Sequence, residues 1–401
     1  MMLHRFRVLV ADDQRDVAVT LTAGLRATGA TLTYTTDGAS ALQQVRSGGI
    51  DLLILDMKMP PNDWGGLWVL AQMRDLGLTV PVIVLSGEGG QRQTIEAMRL
   101  GAGDWVDKGH AAAELVDRCA ELFAAVDEEV LETAARKLPS PIAHQFGRYT
   151  AAPKRDTSAQ DGLRALEDTI KFAAFLALAD RSPEARGIRG IQATHFARPS
   201  MGTWANVARS LGDEVRSDSL AATWLAALVP EPKSFSEIQN LVALRNDIAH
   251  GGHEPSAEDD ARLRAHLVTV AHRLTTSWPG QLHVATSMDY DGSSFEVHTK
   301  LHMGTSEPGH CAFDSQTPVR TGDVFVVDVD GQPLSLSPWI ELVNVEGRDA
   351  LAVYDSVQLP RKQTSRETPL QYAEPITRSR GLSASDPEAI WSRIRHHVEQ
   401  A

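Results

Sequence analysis

The sequence predicts a multidomain protein: a doubly wound α/β domain, then an all-α bundle, then a small antiparallel β-domain. Early in the chain, short apolar runs end in charged residues, which is typical of parallel strands buried on both faces. From Asp161 to Ser277 the apolar period is helical, and from Gln281 it changes to two. The 401 residues suffice for two or three domains, and a hydrophobic content of 42% supplies their cores.

The first domain is organised around Ile50–Pro60, in which an unbroken apolar run ends at Asp56. We expect a central parallel strand that brings Asp56 to the carboxyl edge of the sheet, where open α/β sheets carry their chemistry. A second run, Arg7–Ala11, ends in Asp12 and Asp13, so two more carboxylates are expected beside the first. Because clustered carboxylates repel one another unless a cation neutralises them, and because their oxygens are hard ligands, the pattern predicts bound Mg²⁺.

Two later runs end in polar residues of a different kind. Val80–Leu85 leads into Ser86, and Trp105–Asp107 leads into Lys108. A hydroxyl and an ammonium are the partners that a phosphoryl group on Asp56 requires. Each residue alone is better explained as a solvated loop residue or a surface lysine. On successive strand ends, however, they predict one shared site.

Residues 1–126 resemble the receiver domain of bacterial response regulators. The resemblance rests on five residues and their spacing: Asp12, Asp13, Asp56, Ser86 and Lys108. It implies a flavodoxin-like fold in which Asp56 accepts a phosphoryl group from a sensor histidine kinase. It also implies that Ser86 and Lys108 hold the phosphate, and that Trp105 conveys phosphorylation to the outer face of the domain.

The same resemblance implies how Mg²⁺ is bound. Asp13, Asp56 and the main-chain carbonyl of Lys58 would be its ligands, and Asp12 would assist from behind them. Two features depart from the family pattern: Gly109 stands where the family has a proline after the lysine, and the loop Pro61–Gly66, which contains Trp64, is slightly long. A glycine after the lysine would loosen that loop without removing the chemistry.

Composition limits the protein's environment and partners. A formal net charge of −13 argues against broad electrostatic binding to nucleic acid, although a local site stays possible. No run is apolar and long enough to span a bilayer, and the start leaves no room for a signal peptide, so we expect a cytoplasmic protein with no membrane partner. The two cysteines, Cys119 and Cys311, are too far apart in sequence to suggest a disulfide framework.

The middle of the chain is predicted to be a linker followed by helices. We expect a helix extension and linker over 127–160, because Leu138–Pro141 breaks the helical pattern and small polar residues follow. The helical domain is expected over 161–277. Within it, a capping box at Ser234–Glu237 opens a helix that ends before Gly251.

That helix carries the most informative residues of the second half. Arg245 projects into an apolar stripe, so it must be paired or face something other than plain core. Asn246 and His250 are four residues apart, so the amide can orient the imidazole, and the helix C-terminus favours protonated histidine. The arrangement predicts a general acid or base beside a cation.

The segment Arg245–His250 resembles the Arg-x₄-His signature of HEPN domains, which are small helical bundles that dimerise and are often metal-independent ribonucleases. The resemblance implies that Arg245 binds the scissile phosphate of an RNA substrate and that His250 acts in 2′-hydroxyl attack or leaving-group protonation. It further implies that Asn246 orients His250 and that two protomers of a homodimer share the site.

Other interpretations of this region stay open. Arg245 could pair with a neighbouring acid and His250 could cap its helix, in which case the output is a non-catalytic, phosphorylation-gated dimerisation or adaptor module. The acidic composition and the lack of a predicted aromatic and basic surface favour that alternative. A DNA-binding output ranks lower, because no helix-turn-helix pattern follows the linker.

An antiparallel β-domain is predicted over 281–360, with a hairpin at Asp330-Gly331. A polar tail is expected over 361–401, with a short amphipathic helix that begins near Asp386. Four residues of the β-domain could suggest a metal site, but without a tight ligand pair they are expected to be surface residues: His298, His302, His310 and Cys311.

Overall fold

The structure is a computed structural model. It describes residues 6–87, 91–151, 158–182, 185, 187–229, 234–249, 251–252, 254–327, 331–357, 370–375, 379–382 and 392. The chain divides into two compact units, Met1–Asp127 and Glu128–Ala401, and each is described by itself.

The first unit is a parallel sheet between two layers of helices. Its strands lie in the order β2-β1-β3-β4-β5, and every neighbouring pair is parallel. This confirms the predicted doubly wound α/β fold. The elements in chain order are β1 (Arg7–Ala11), α1 (Arg15–Leu21), α2 (Ala23–Ala27), β2 (Thr31–Thr35), α3 (Gly38–Arg46), β3 (Leu52–Leu55), α4 (Gly65–Asp75), β4 (Val82–Ser86), α5 (Gln91–Arg99), β5 (Asp104–Asp107) and α6 (Ala111–Lys137).

The central strands are apolar throughout because both faces of the sheet are covered. Val8 and Val10 of β1 pack into one hydrophobic core, whereas Leu9 and Ala11 pack into the other. The residues of β3 alternate between the same two cores, and none of them is more than 1% exposed. A strand with two buried faces has no position for a polar side chain until it ends, so the carboxylates follow the strands.

The second unit begins with helices. Several of them start at a serine whose hydroxyl accepts a hydrogen bond from the first turn, as Ser200, Ser219 and Ser256 do. Gly251, with φ of 71°, follows α11, as predicted for its C-terminus. The helices are α7 (Ser140–Ala151), α8 (Ser158–Ala179), a 3-10 helix (Ala193–Phe196), α9 (Met201–Leu211), α10 (Leu220–Leu228), α11 (Ser234–Ala249) and α12 (Ala257–Ser277).

The linker predicted within 127–160 is wrong for most of its length. Helix α7 occupies much of it, and α8 begins at Ser158. Pro141 lies in the first turn of α7, where the missing N–H leaves no hydrogen bond unmade, so proline begins this helix rather than breaking one. Ile142 and Phe146 of α7 are buried, which holds the helix against its neighbours.

Two antiparallel sheets complete the second unit. One has the strand order β10-β9-β6-β7-β8 and the other β11-β12-β13-β14. Antiparallel strands were predicted, and four of the strands were not identified from the sequence: β8, β11, β13 and β14. The strands are β6 (Gln281–Tyr290), β7 (Phe295–Leu301), β8 (Gly309–Ser315), β9 (Val324–Val327), β10 (Pro333–Ser335), β11 (Ile340–Val345), β12 (Arg348–Val357), β13 (Leu370–Ala373) and β14 (Arg380–Leu382).

The helices and sheets of the second unit share one hydrophobic core. Phe175 of α8 stacks on Trp339, with ring centroids 5.7 Å apart, and Trp204 of α9 packs edge-on against Trp339. The Tyr354 hydroxyl of β12 donates a hydrogen bond of 2.6 Å to the Phe196 carbonyl. The separation into a helical domain over 161–277 and a β-domain over 281–360 is therefore corrected, because the apolar helix faces and sheet faces bury one another.

Several sequence predictions fall on residues that the structure does not describe. They include His250, most of the turn at Asp330-Gly331 and nearly all of the tail helix from Asp386. Among the helices that are described, none has the length and apolar character needed to cross a membrane. Both cysteines are free thiols.

Candidate functional site

Three carboxylates meet at the carboxyl edge of the first unit's sheet. Asp12 and Asp13 follow β1, and Asp56 follows β3, its neighbour in the sheet. Each offers an oxygen atom, and these atoms all lie within 4.8 Å of one another. Asp12 and Asp56 are 2% and 4% exposed, whereas Asp13 is open to solvent. The structure thus brings together the acidic residues that the sequence predicted.

Lys108 supplies the positive charge of this acidic cluster. Its Nζ atom lies 2.7 Å from Asp12 Oδ2 and 3.2 Å from Asp56 Oδ1. The lysine follows β5 directly and its side chain is 17% exposed. One ammonium therefore bridges carboxylates that follow two different strands.

The pKa values in the cluster reflect burial and close charges. The pKa of Asp56 is raised to about 6: burial raises it most, Lys108 opposes this effect, and the neighbouring Asp12 carboxylate adds to the rise. Burial alone would lower the pKa of Lys108, but Asp12 and Asp56 together hold it above its ordinary value. The lysine consequently stays protonated, and the cluster has an uncompensated negative charge that suits a divalent cation.

Backbone contacts fix Asp56 and the chain that follows it. The Asp56 N–H donates to the Ala11 carbonyl at 2.8 Å, which ties the residue to β1. Helix α4 begins very close to this segment: a Cβ on Gly66 would lie 2.5 Å from the Asp56 carbonyl oxygen, and one on Gly65 would overlap the Met59 carbonyl. The sequence analysis did not single out these glycines for the site, although the pair Gly65-Gly66 at a helix start was the available signal.

The other residues predicted for this site lie on the neighbouring strands. Ser86 is the last residue of β4 and is buried, and its carbonyl accepts a hydrogen bond of 3.0 Å from the Lys108 N–H. Trp105 of β5 is half-buried and packs against the core that contains Ala97 and Ala102. Lys58 lies in the loop after β3, with its side chain exposed.

The donor set fits magnesium. Three carboxylates converge on one edge, two of them are buried, and oxygen ligands of this kind suit a small hard cation. Across the described part of the chain, this is the one group of three histidine, cysteine, aspartate or glutamate residues with ligand atoms this close together.

Arg245 of α11 is paired with an acid in the second unit. Its Nη2 atom lies 3.4 Å from Glu167 Oε2 on α8, and its side chain is 34% exposed. Asn246 is half-buried beside it, and His250 lies outside the described residues. An ion pair with a neighbouring acid is what the non-catalytic interpretation of Arg245 predicted.

The Arg245–Glu167 pair belongs to a larger charged group around a cavity of about 630 Å³. Lys171 Nζ lies 3.5 Å from Glu167 Oε1 and 3.6 Å from Asp168 Oδ1. Burial alone would raise the pKa of Glu167, yet Lys171 and Arg245 hold it below its ordinary value, whereas burial raises the pKa of Asp168. The sequence analysis missed these acids; the spacing of Glu167, Asp168 and Lys171 on one helix face was the available signal.

The candidate metal residues of the β-strands do not converge in the part of the chain that the structure describes. His298 Nε2 lies 3.7 Å from Asp289 Oδ2, and His310 is exposed. His302 is half-buried, and burial lowers its pKa to about 4, so the expectation of a surface histidine is wrong there.

Comparisons with known proteins place the first unit in a family. The response regulator receiver domain family matches residues 8–120. Transcriptional regulatory protein PrrA of Mycobacterium tuberculosis is 37% identical over 117 residues, which are 29% of this chain and 49% of that protein. Response regulator MprA of Mycobacterium ulcerans is 33% identical over 132 residues, which are 32% of this chain and 56% of that protein. The chain spans about half the length of these relatives.

A solved structure of a response regulator from Chloroflexus aurantiacus is 30% identical and aligns over 30% of this chain and 98% of that one, with a TM-score of 0.28. The family match lies in the N-terminal part of the chain. Residues 8–120 are a response regulator receiver domain, and this domain relates the chain to the regulators of two-component systems.

Proposed function

We propose that this protein is a two-component response regulator that is phosphorylated on Asp56 by a sensor histidine kinase. The observation that carries the proposal is the position of Lys108, whose ammonium contacts both Asp12 and Asp56 at the edge of the sheet. The cluster has an acceptor carboxylate, a cation beside it and a buried serine, Ser86, on the next strand. These are the groups that phosphoryl transfer to a carboxylate requires.

Each residue has a distinct part in the proposed transfer. An Asp56 carboxylate oxygen attacks phosphorus and takes the phosphoryl group from the kinase histidine. Lys108 neutralises charge on the phosphoryl oxygens, and the Ser86 hydroxyl donates a hydrogen bond to one of them. Asp13, Asp56 and the Lys58 carbonyl would hold Mg²⁺, with Asp12 assisting from behind them, and the ion would supply positive charge near the transferring group. Trp105 then conveys the change to the outer face.

Intact-mass measurement tests this proposal. Purified protein is incubated with Mg²⁺ and acetyl phosphate, a small phosphoryl donor, and then weighed. We expect one added phosphoryl group on the wild type and none on Asp56→Asn. Asp63→Asn is the matched control, because it makes the same change at an exposed residue of the loop after β3. Phosphorylation of Asp56→Asn at the wild-type rate would refute the assignment.

For the second unit we propose RNA cleavage under the control of the receiver. The helices α7 to α12 and the position of Arg245 on the wall of a polar cavity support a HEPN-like site. Arg245 would bind the scissile phosphate, and His250, oriented by Asn246, would transfer the proton. Two protomers would share the site in a homodimer.

A non-catalytic output is the second candidate, and the ion pair between Arg245 and Glu167 favours it. In that case the second unit dimerises or binds a partner when Asp56 is phosphorylated. The deciding experiment measures RNA cleavage by wild type and by an Arg245→Ala/His250→Ala variant, with and without Mg²⁺ and beryllofluoride, a phosphate mimic. Cleavage by the wild type alone supports the ribonuclease. The adaptor is supported if neither state cleaves RNA and if beryllofluoride causes dimerisation in both the wild type and the variant.

A further inference from the structure

The cavity beside Arg245 has the size and the polarity of a small-molecule site. We call it the output cavity; its volume is about 630 Å³, within the range of roughly 300–1,000 Å³ that is common for ligand pockets. It is lined by residues of α7, α8, α11, β12 and β13 and by neighbouring residues, all within the second unit. Six ionisable residues of its wall carry the argument: Arg164, Glu167, Asp168, Lys171, Arg245 and Asp355.

Two cations of this group, Lys171 and Arg245, contact the same carboxylate. Glu167 bridges them, with Oε1 3.5 Å from Lys171 Nζ and Oε2 3.4 Å from Arg245 Nη2. Charge-assisted hydrogen bonds are usually about 2.7–2.9 Å long, so both contacts are longer than strong ones. Arg245 has five N–H donors and only this one ion pair among the described residues, so its guanidinium has donors left for an anionic group.

Strand β12 provides a carboxylate acceptor in the cavity wall. Asp355 of β12 is half-buried, and no hydrogen bond or ion pair is found for its carboxylate among the residues that the structure describes. It lies close enough to Lys171 to help hold the pKa of that ammonium above its ordinary value. A half-buried carboxylate without a hydrogen-bond donor favours a ligand that brings one.

The charges of the cavity wall nearly balance. Glu374 also lines the cavity, but its buried carboxylate pairs with Arg348 at 2.6 Å. The remaining wall has three cations and three carboxylates, although Arg164 also has a long contact with Asp161, at 3.8 Å. A ligand of one sign would face as many repelling groups as attracting ones, whereas a ligand with both signs matches the wall.

We propose that the output cavity binds a small zwitterion of the amino-acid or short-peptide class, with its carboxylate against Arg245 and its ammonium against Asp355. The ligand would add to the phosphorylation signal a second input that the receiver does not sense. The proposal goes beyond the proposed function. If the output is RNA cleavage, the bound ligand would occupy Arg245 and exclude an RNA phosphate from it; if the output is an adaptor, the ligand would bind without that competition.

Isothermal titration calorimetry on the full chain tests the proposal with matched probes. L-leucine carries both charges, isoamylamine lacks its carboxylate, and 4-methylpentanoate lacks its ammonium. The dipeptide Gly-Leu, L-lysine and L-glutamate extend the zwitterion series. We expect at least one zwitterion to bind, and its one-charge analogues to bind about tenfold more weakly or worse, because each loses one charge-assisted contact.

Variants assign the binding to this cavity. Asp355→Asn and Arg245→Gln should each weaken zwitterion binding about tenfold or more, and Arg245→Lys should restore part of it. Asp314→Asn makes the same charge change at an exposed residue of β8 outside the cavity and should leave binding unchanged. Circular dichroism checks that each variant is folded.

Three results would overturn the proposal. One is that no zwitterion of the series binds to the wild type. Another is that a one-charge analogue binds as tightly as its zwitterion, which would show that only one sign is recognised. The third is that folded Asp355→Asn and Arg245→Gln bind with wild-type affinity, which would place the ligand elsewhere. None of these results depends on RNA cleavage or on phosphorylation of Asp56.

Discussion

Replacing Lys108 by methionine tests whether one cation holds the acidic cluster together. The Lys108 ammonium contacts Asp12 at 2.7 Å and Asp56 at 3.2 Å, and these carboxylates are only 2% and 4% exposed. Removing one partner of a buried ion pair destabilises a protein by about 3–5 kcal/mol, because the remaining charge stays buried. We expect a loss of that size, which is a large part of the roughly 5–15 kcal/mol of a typical domain.

Hydrogen exchange measured by mass spectrometry is the assay, because it reports the stability of each region separately. A loss of about 3 kcal/mol or more accelerates exchange through global opening by roughly a hundredfold or more. We expect this acceleration in peptides from β1 and β3, measured without Mg²⁺. Added Mg²⁺ should reduce the difference, since it supplies positive charge to the same carboxylates. Lys137→Met, which removes an exposed ammonium at the end of α6, is the control.

Unchanged exchange of β1 and β3 in Lys108→Met, measured without Mg²⁺, would refute this reasoning. It would mean that the two contacts contribute nothing to stability, or that the carboxylates become protonated at no measurable cost. An acceleration that Lys137→Met reproduces would also refute it, because the effect would then follow from net charge alone.

Three further predictions concern other parts of the molecule. Burial lowers the pKa of His283 to about 4, so as pH falls the histidine of the unfolded chain is protonated before that of the folded chain. The second unit should therefore lose up to about 3 kcal/mol of stability between pH 6.5 and pH 4. Urea unfolding of His283→Leu, compared with the wild type across that range, should show a shallower loss. Gly66→Ala should slow phosphorylation of Asp56 in the intact-mass assay, because the added Cβ would press on the Asp56 carbonyl. Gly309→Ala is the control and should leave the rate unchanged, because no atom lies within 4 Å of the added Cβ. Trp204→Ala should destabilise the second unit by about 3–5 kcal/mol in urea unfolding, because the indole is fully buried.

Each of these predictions has a clear contrary result. If His283→Leu loses stability on acidification as steeply as the wild type, other groups cause most of the loss. His266 and His302 are candidates, because burial also lowers their pKa values to about 4. Normal phosphorylation of Gly66→Ala would show that α4 can shift away from the acceptor. A small effect of Trp204→Ala would show that the shared core closes around the missing ring.

The receiver site could be predicted because it depends on local patterns. Each buried strand is a short apolar run, and the polar residue that follows the run marks the carboxyl end. Parallel strands place these ends on one edge, so Asp12, Asp56, Ser86 and Lys108 had to be neighbours if the strands paired. What the sequence did not supply was the close approach of Gly66 to Asp56, because that distance depends on how α4 packs.

In the second unit, less of the structure could be predicted from the sequence. Its helical and strand periods predicted most elements. Pro141 was predicted to end a helix, but it lies in the first turn of α7, which the pattern did not predict. The partner of Arg245 could not be found from the pattern, since Glu167 lies 78 residues earlier. A lone arginine in an apolar stripe indicates that some partner exists without identifying it.

The sequence by itself determined the receiver fold, the acidic cluster and the change from helices to strands, because these depend on which residues follow one another. The tertiary structure alone decided that the helices and both later sheets close around one core and that Trp339 packs against both Phe175 and Trp204. It also decided that Arg245 meets Glu167 beside a charged cavity. Periodicity shows that a helix or sheet has an apolar face to bury. Which two faces meet depends on the shape and packing of the whole unit.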